Sequence, residues 1–294
     1  MVFKTPEASV AFRLFFYLFF LIASNITART SRDTFLLQGE YAKHLPILIA
    51  LTAVLMYVIV RVQTLLSRGS SPVALAVASA LLGAISYGAF LPFNMSGLAS
   101  VVYFMWTEAL NSLLAVQFWI LASAALDART GKKLFGIIGA GGAIGGFVAG
   151  VALVPLGKRY GVNLLPIGAG ALLLAAIPFA LGLKSRDSDG HTTTSHDAAG
   201  SNQWNLSHPY VKVLCLLLIP ATIAATLIDY QFKVVSAAAI PDGAKLTAFF
   251  GRYYALSNGL TLVFQVFLTS LFLTRFGLLF SLAFLPAVLL LLAL

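Results

Sequence analysis

The sequence is poor in charged residues. Asp, Glu, Lys and Arg together make up 10% of its 294 residues, whereas hydrophobic residues make up 60% and the mean hydropathy is +0.93. A soluble domain carries about 25% charged residues. The shortage of charge therefore excludes a soluble globular protein and predicts an integral, multi-pass membrane protein.

The sequence also lacks the residue sets that mark several other protein classes. Its single cysteine, Cys215, lies in an apolar run, which excludes a disulfide framework. The four histidines have no metal-ligand spacing, and no Ser/His/Asp or Cys/His set is assembled, so we predict no metal, no cofactor and no enzymatic activity. Despite the net charge of +9, no basic run stands in a folded soluble segment, which argues against nucleic-acid binding.

Apolar segments of membrane-spanning length recur along the whole chain. A transmembrane helix needs about 20 mainly apolar residues. These runs are continuous rather than alternating, which favours helices over a barrel. They lie at about 11–34, 45–65, 72–93, 98–126, 134–155, 162–183, 209–235, 246–273 and 277–294. The sequence predicts an all-helical membrane bundle of eight or nine transmembrane helices, truncated from a longer protein.

One long polar stretch, residues 184–208, divides the chain and is typical of a flexible linker. It separates an N-terminal six-helix bundle at 1–183 from a partial C-terminal bundle at 209–294. This is the organisation of a six-plus-six transporter, which has twelve transmembrane helices when complete. A small excess of Lys and Arg in alternate loops predicts that the amino terminus and the linker both lie in the cytoplasm.

Ionisable residues recur inside the apolar segments. A charge at the centre of a membrane helix costs about 2.5–3.5 kcal/mol on insertion scales, so it is seldom retained without a task. The residues that share this property are Arg29, Arg32, Asp33, Glu108, Asp229 and Lys233. They predict a polar pathway or an anion site between helices.

The first of these groups lies at the end of the first segment. Arg29 and Arg32 are three residues apart, hence on one helix face, and Asp33 is four residues from Arg29. One interpretation is an Arg29–Asp33 pair at the end of the helix. The other is two cations that line a cavity, with Asp33 holding one of them. Guanidinium groups offer parallel donors to phosphate, so a net positive group of this kind suits an anion.

The fourth and seventh segments supply the other charges. Glu108 shares a helix face with Asn111. One interpretation is a protonation or coupling site, or a group that orients a basic residue. The other is a neutral, hydrogen-bonded side chain that packs the fourth helix on the first. Asp229 and Lys233 are spaced i,i+4 in the favourable order. That pair either neutralises itself or exchanges partners when a transporter changes state and releases Lys233 to substrate.

Asp127, Lys132 and Lys133 lie in the predicted short loop between the fourth and fifth helices. Lysines in such a loop anchor a helix at the cytoplasmic surface. A gating salt bridge with Asp127 is the alternative.

A run of glycines follows this loop. Its spacing matches neither G-x-G-x-x-G nor G-x-x-x-x-G-K-[ST], which excludes the usual nucleotide-binding loops. Gly142, Gly146 and Gly150 repeat every four residues. This pattern predicts close packing of the fifth helix against its neighbours.

In order and spacing, these elements resemble the nucleotide (ATP/ADP) translocase family. The family's basic-Asp-Thr-Leu motif corresponds to Arg32-Asp33-Thr34-Phe35, and its helix-four Glu with a later Phe-Trp corresponds to Glu108 with Phe118-Trp119. Its Glu-x-x-x-Lys motif corresponds to Asp229 to Lys233, and its aromatic-Gly element corresponds to Phe250-Gly251. Arg32 stands where the family has Lys, Asp229 where it has Glu, and Ser123 where it has Asn. The chain is most similar to the divergent bacterial branch.

The resemblance implies a major facilitator-like fold, a bacterial inner-membrane location and secondary antiport of ATP for ADP by alternating access. It implies roles in substrate recognition or transport for Arg32, Glu108, Asp229 and Lys233, and Arg29 joins them by position. The partners are then a small anionic solute, such as a nucleotide, and the lipid bilayer. A facilitator-type carrier, proton-coupled through Glu108 or Asp229, and a non-transporting membrane module remain the alternatives.

Overall fold

The computed structural model describes residues 6–39, 41, 44–66, 70–90, 92–93, 97–126, 128–183 and 209–264. Within these residues the chain forms eight α-helices, a 3₁₀ turn at Val162–Leu164 and no strand. The helices are α1 Pro6–Gln38, α2 Leu45–Leu66, α3 Pro72–Ala89, α4 Leu98–Ala125, α5 Ala128–Tyr160, α6 Leu165–Leu181, α7 Pro209–Ala239 and α8 Gly243–Val263. The predicted all-helical class is confirmed.

Each of the first eight predicted segments corresponds to one helix. The largest difference is at α5, which begins at Ala128, so Lys132 and Lys133 lie in its first two turns and not in a loop. Hydropathy marks only where an apolar run begins, whereas Ala, Arg and Lys are good helix formers that extend the helix beyond it. The predicted linker at 184–208, the end of the eighth segment at 265–273 and the ninth segment at 277–294 lie outside the described residues.

The helices have the length and surface of membrane spans. Within the described ranges, six candidate spans are found, one in each of α1 to α6. Their outer faces carry large apolar side chains that are left uncovered, such as Ile85 (70% exposed) and Ile47 (65% exposed). Exposed apolar surface on this scale is suited to lipid and not to water. The protein is therefore a polytopic helical membrane protein.

The helix α1 lies at the centre of the bundle, in contact with α4, α5, α6, α7 and α8. It runs antiparallel to α4, because Tyr17 stacks on Phe118 near one end while Ser31 and Tyr103 share a hydrogen bond near the other. At about 1.5 Å per residue, its 33 residues exceed the thickness of a bilayer core. A helix of this position and length can bring groups from several neighbours to one site.

The glycine run of α5 allows two close helix contacts. Gly141 and Gly145 face α1, and a Cβ atom built on Gly141 would lie 2.5 Å from the backbone oxygen of Phe15. Gly146 and Gly150 face α8, where a Cβ on Gly150 would lie 2.7 Å from the backbone oxygen of Gly251. The predicted role in helix packing is confirmed. Because of it, α5 approaches both α1 and α8 almost backbone to backbone.

We expect Gly145→Ala to destabilise the protein while Gly136→Ala does not. A Cβ on Gly145 would overlap the backbone carbonyl of Phe19, whereas a Cβ on Gly136 meets nothing within 4 Å. Overpacking costs about 1–3 kcal/mol, while Ala in place of an unhindered helical Gly gains up to about 1 kcal/mol. Thermal unfolding in detergent, followed by tryptophan fluorescence, measures both. Equal unfolding midpoints for the two variants would contradict the close α1–α5 contact.

Candidate functional site

Six ionisable side chains from three helices meet inside the bundle, and we call this group the ion cluster. Its members are Arg29, Arg32 and Asp33 from α1, Glu108 from α4, and Asp229 and Lys233 from α7. Three are cations and three are carboxylates. The cluster as described is therefore balanced in charge.

Asp33 lies at the buried centre of the ion cluster. One carboxylate oxygen accepts a hydrogen bond of 3.1 Å from Arg32 Nε. The other lies 3.3 Å from Lys233 Nζ and accepts a bond of 3.2 Å from the hydroxyl of Tyr254 on α8. Arg32, Asp33 and Lys233 are only 2%, 1% and 3% exposed. Such a carboxylate, surrounded by two buried cations, acts as a fixed counter-ion.

The other two carboxylates lie at the accessible edge. Glu108 pairs with Nη1 of Arg32. Asp229 lies 2.7 Å from Lys233 Nζ and 3.4 Å from Arg29 Nη2. The Glu108 and Asp229 side chains are 45% and 36% exposed. Because each lies partly in the open, each can leave its cation without the rearrangement of a packed core.

Aromatic rings hold the two guanidinium groups in place. Arg29 lies over the ring of Tyr254, with 5.2 Å between its central carbon and the ring centroid. Arg32 lies over the ring of Phe104 at 4.6 Å. Both distances are within the range of a cation–π contact. These contacts remain when a carboxylate moves away, so the donors stay oriented.

A packed layer, which we call the closing layer, lies on the side of the ion cluster toward the carboxyl end of α1. Thr34 and Thr247 share a buried hydrogen bond of 3.1 Å between their hydroxyl groups. Leu36, Leu246 and Phe250 are fully buried around it. The closing layer joins α1 to α8 next to Asp33, toward the carboxyl end of α1.

A cavity lies on the opposite side of the ion cluster, toward the amino-terminal half of α1. Its volume is about 390 Å³, and it is lined by α1, α4, α5 and α8. Asn25, Asn111 and Asn258 each supply an amide to its wall, and Trp119 and Phe135 supply aromatic surface. We call it the asparagine cavity. The cavity begins about one helix turn from the ion cluster, and none of the six cluster residues lines it.

The structure brings most of the predicted site residues together. The five that were assigned to substrate binding all belong to the ion cluster: Arg29, Arg32, Lys233, Glu108 and Asp229. Of those assigned to pairing or gating, Asp33 is at its centre and Asn111 lines the asparagine cavity. Asp127 and the side chains of Lys132 and Lys133 lie outside the described part of the chain.

Two details differ from the sequence-based expectation. Arg29 pairs with Asp229 on α7 and not with Asp33, although the i,i+4 spacing allowed the latter. The expected surplus of positive charge is also absent from the described cluster, because Glu108 and Asp229 both pair with its cations. The i,i+4 pair of Asp229 and Lys233 is present, but it is shared with α1.

Sequence reasoning missed the uncharged residues of the site. Uncharged polar side chains are common in membrane helices, where they help to pack the helices together. An apolar segment that contains Tyr254, Asn25 or Asn258 therefore gives no sign of a binding site. The one available signal was spacing, since Asn25 lies four residues before Arg29 and Asn258 lies four residues after Tyr254.

Comparison with protein-family models, with curated protein sequences and with solved structures finds no match to this chain. The described residues show a polytopic helical membrane protein with a buried ion cluster between its helices.

Proposed function

We propose that this protein is a secondary transporter that binds an anionic, phosphate-bearing solute at the ion cluster and moves it by alternating access. The observation that carries the proposal is the burial of Arg32 and Lys233 in a cluster of ions from α1, α4 and α7, with the closing layer toward the carboxyl end of α1 and the asparagine cavity toward its amino-terminal half. A carrier needs a site that is open to one side and closed to the other, at the interface between helix groups. The buried charges supply a binding site at that position.

The donors of the cluster suit phosphate groups. Arg29 and Arg32 present planar guanidinium forks, which match the geometry of phosphate oxygens, and Lys233 adds a compact charge. In the structure, Glu108 and Asp229 pair with these donors. A bound anion would take their place and leave Asp33 where it is. The resemblance in motifs favours exchange of ATP for ADP as the particular reaction.

The same resemblance supports a bacterial inner membrane, and the small excess of Lys and Arg in alternate loops supports a cytoplasmic amino terminus. The asparagine cavity lies toward the amino-terminal half of α1. In that orientation the described conformation would face the cytoplasm.

The charge balance of the cluster favours a second candidate, a proton-coupled carrier of an anion. If a solute displaces Glu108 or Asp229, the freed carboxylate remains at membrane depth without its cation. A charged group left unpaired in such surroundings tends to become neutral. Uptake of a proton with each anion would follow from that step.

The test is uptake of labelled ADP by the purified protein in proteoliposomes, with and without ATP trapped inside. We expect trapped ATP to raise uptake about tenfold or more, because exchange avoids return of the empty carrier. Arg32→Ala should abolish uptake, since a buried phosphate-binding cation is lost. Arg252→Ala is the matched control, because Arg252 is exposed on α8 and has no place in the ion cluster.

The outcomes separate the two candidates. Uptake that follows an imposed proton gradient and ignores trapped ATP would favour the proton-coupled carrier over exchange. Absence of uptake for every phosphate-bearing solute, or equal activity of Arg32→Ala and Arg252→Ala, would contradict the transport proposal itself.

A further inference from the structure

Another cavity lies between α2, α3 and α4, and we call it the glutamine groove. Its volume is about 300 Å³. The helices α2 and α3 each pack on α4 more closely than on one another, so the groove runs between them with α4 as its floor. Its described lining shares no residue with the ion cluster or the asparagine cavity. Val62 and Leu82 line it and are 48% and 47% exposed, so the groove opens toward the lipid.

Two side-chain amides of the groove have an oxygen without a hydrogen-bond donor. Gln117, on α4, is only 2% exposed, and its Oε1 meets no donor in the part of the chain that the structure describes. The Oε1 of Gln63, on α2, is buried and unpartnered in the same way. Most buried polar side chains have a partner, and an unpaired one at membrane depth is costly. Because both residues line the groove, they indicate a ligand with a hydrogen-bonding group.

Both glutamines lie at the same end of the groove. Gln63 is close to the end of α2 and so to the turn that joins α2 to α3. Gln117 lies at the level of the start of α3, because its neighbour Phe118 stacks on Tyr17, whose hydroxyl donates to the backbone oxygen of Ala76. The polar end of the groove is therefore next to the α2–α3 turn.

The opposite end of the groove is apolar and aromatic. Trp106 lines it, and its Nε1 donates to Ser86 Oγ at 2.9 Å, near the end of α3. Leu110 and Leu113 line the floor between Trp106 and Gln117. At about 1.5 Å per residue, these two ends are about 16 Å apart along α4. Since the hydrocarbon core of a bilayer is about 30 Å thick, the groove has the length of one leaflet and suits one acyl chain.

The polar end restricts the headgroup of such a ligand. The described lining contains no charged residue, so a phosphate, a carboxylate or an ammonium group would lack a counter-ion there. Arg61 is exposed on α2 and is not among that lining. A hydroxyl group is uncharged and both donates and accepts. It can therefore satisfy an amide whichever end of the amide faces the groove.

We propose that the glutamine groove binds a neutral lipid with a hydroxyl headgroup, of the acylglycerol class. Its hydroxyl group bonds to the amides of Gln63 and Gln117, and its acyl chain extends along α4 to Trp106. The lipid fills the space between α2 and α3 and so holds α2 on the bundle. This site is separate from the ion cluster, and it does not depend on the proposed transport.

Quenching of Trp106 fluorescence by bromine tests this site in the purified protein in detergent. Trp119→Phe and Trp204→Phe leave Trp106 as the only tryptophan of the sequence. The probes are a monoacylglycerol with a brominated chain, and the methyl ester and the ionised free acid of the same chain. We expect half-maximal quenching by the monoacylglycerol at a concentration about tenfold below that of the methyl ester, since only the former donates a hydrogen bond to the amides. The ionised acid should quench no better than the methyl ester.

Gln117→Leu should remove this preference for the monoacylglycerol, because it replaces the amide by an apolar group of similar size. Its unfolding midpoint without lipid should not fall, since a buried unpaired amide is lost, and the increase in midpoint on addition of monoacylglycerol should disappear. Gln63→Leu is a second variant with the same expected result. Gln231→Leu is the matched control, because Gln231 is exposed on α7, which does not contribute to the described lining.

Three results would overturn the lipid site. The first is equal quenching by the monoacylglycerol and the methyl ester, or a preference that both glutamine variants retain. The second is strongest quenching by the ionised acid, which would indicate an anion site. The third is a lower unfolding midpoint for Gln117→Leu with the preference retained, which would mean that the two glutamines bond to each other between α2 and α4. All three leave the carrier proposal standing.

Discussion

We expect Asp33→Asn to abolish the proposed transport and to destabilise the protein by about 3–5 kcal/mol, the usual cost of removing one partner of a buried ion pair. Its carboxylate is 1% exposed and meets Arg32, Lys233 and the hydroxyl of Tyr254. The amide of Asn carries no charge, so two buried cations would lose their shared counter-ion. Thermal unfolding in detergent measures the loss of stability, and proteoliposome uptake measures the loss of transport.

Two further variants test whether these losses come from the missing charge of Asp33. The double variant Asp33→Asn with Lys233→Met removes one charge of each sign, so it should recover much of the stability but none of the transport. Asp242→Asn is the control. Asp242 caps α8 by accepting from Lys245 N at 2.8 Å, and Asn caps a helix equally well. If Asp33→Asn were as stable as Asp242→Asn, Asp33 would not be the central counter-ion.

The helices and the identity of the buried charges could be predicted from the sequence because both signals are strong. An apolar run of about 20 residues is rare outside membrane spans, and a charge inside one is costly enough to need a cause. The boundaries were less certain, as at Lys132 and Lys133. Their charges end the apolar pattern without ending the helix.

The partners of the charges could not be predicted, because spacing along one helix does not say which neighbouring helix it meets. Arg29 had an acceptable partner at Asp33, yet it reaches Asp229, which is 200 positions away in the sequence. The glycine faces of α5 set the approach of α1 and α8 and so determine which side chains can meet. Tyr254 and the three asparagines enter the site through that packing and not through any pattern of their own.

The division of the cluster into fixed and accessible carboxylates bears on how a carrier could return when empty. Asp33 is enclosed by cations and by Tyr254, whereas Glu108 and Asp229 are partly exposed. While all three stay in place, the solute-free cluster is neutral within the described residues. A neutral site costs far less to carry across a bilayer than one with an unpaired charge. If the protein is the carrier proposed above, Glu108 and Asp229 control whether it returns without a solute.

We expect Glu108→Gln to retain exchange but to reduce net uptake into vesicles that contain no trapped solute. Without the Glu108 carboxylate, the empty site keeps one unpaired positive charge, which costs about 2.5–3.5 kcal/mol at membrane depth. Since about 1.4 kcal/mol corresponds to a factor of ten in rate, net uptake should fall roughly a hundredfold, whereas during exchange a bound anion pairs with Arg32 in place of the lost carboxylate. Both rates are measured in the same vesicle preparation, with and without trapped ATP, and Glu7→Gln, near the far end of α1, is the matched control. An equal loss of both rates would mean that Glu108 helps to bind the solute, and no loss of either would mean that its charge does not matter to the empty carrier.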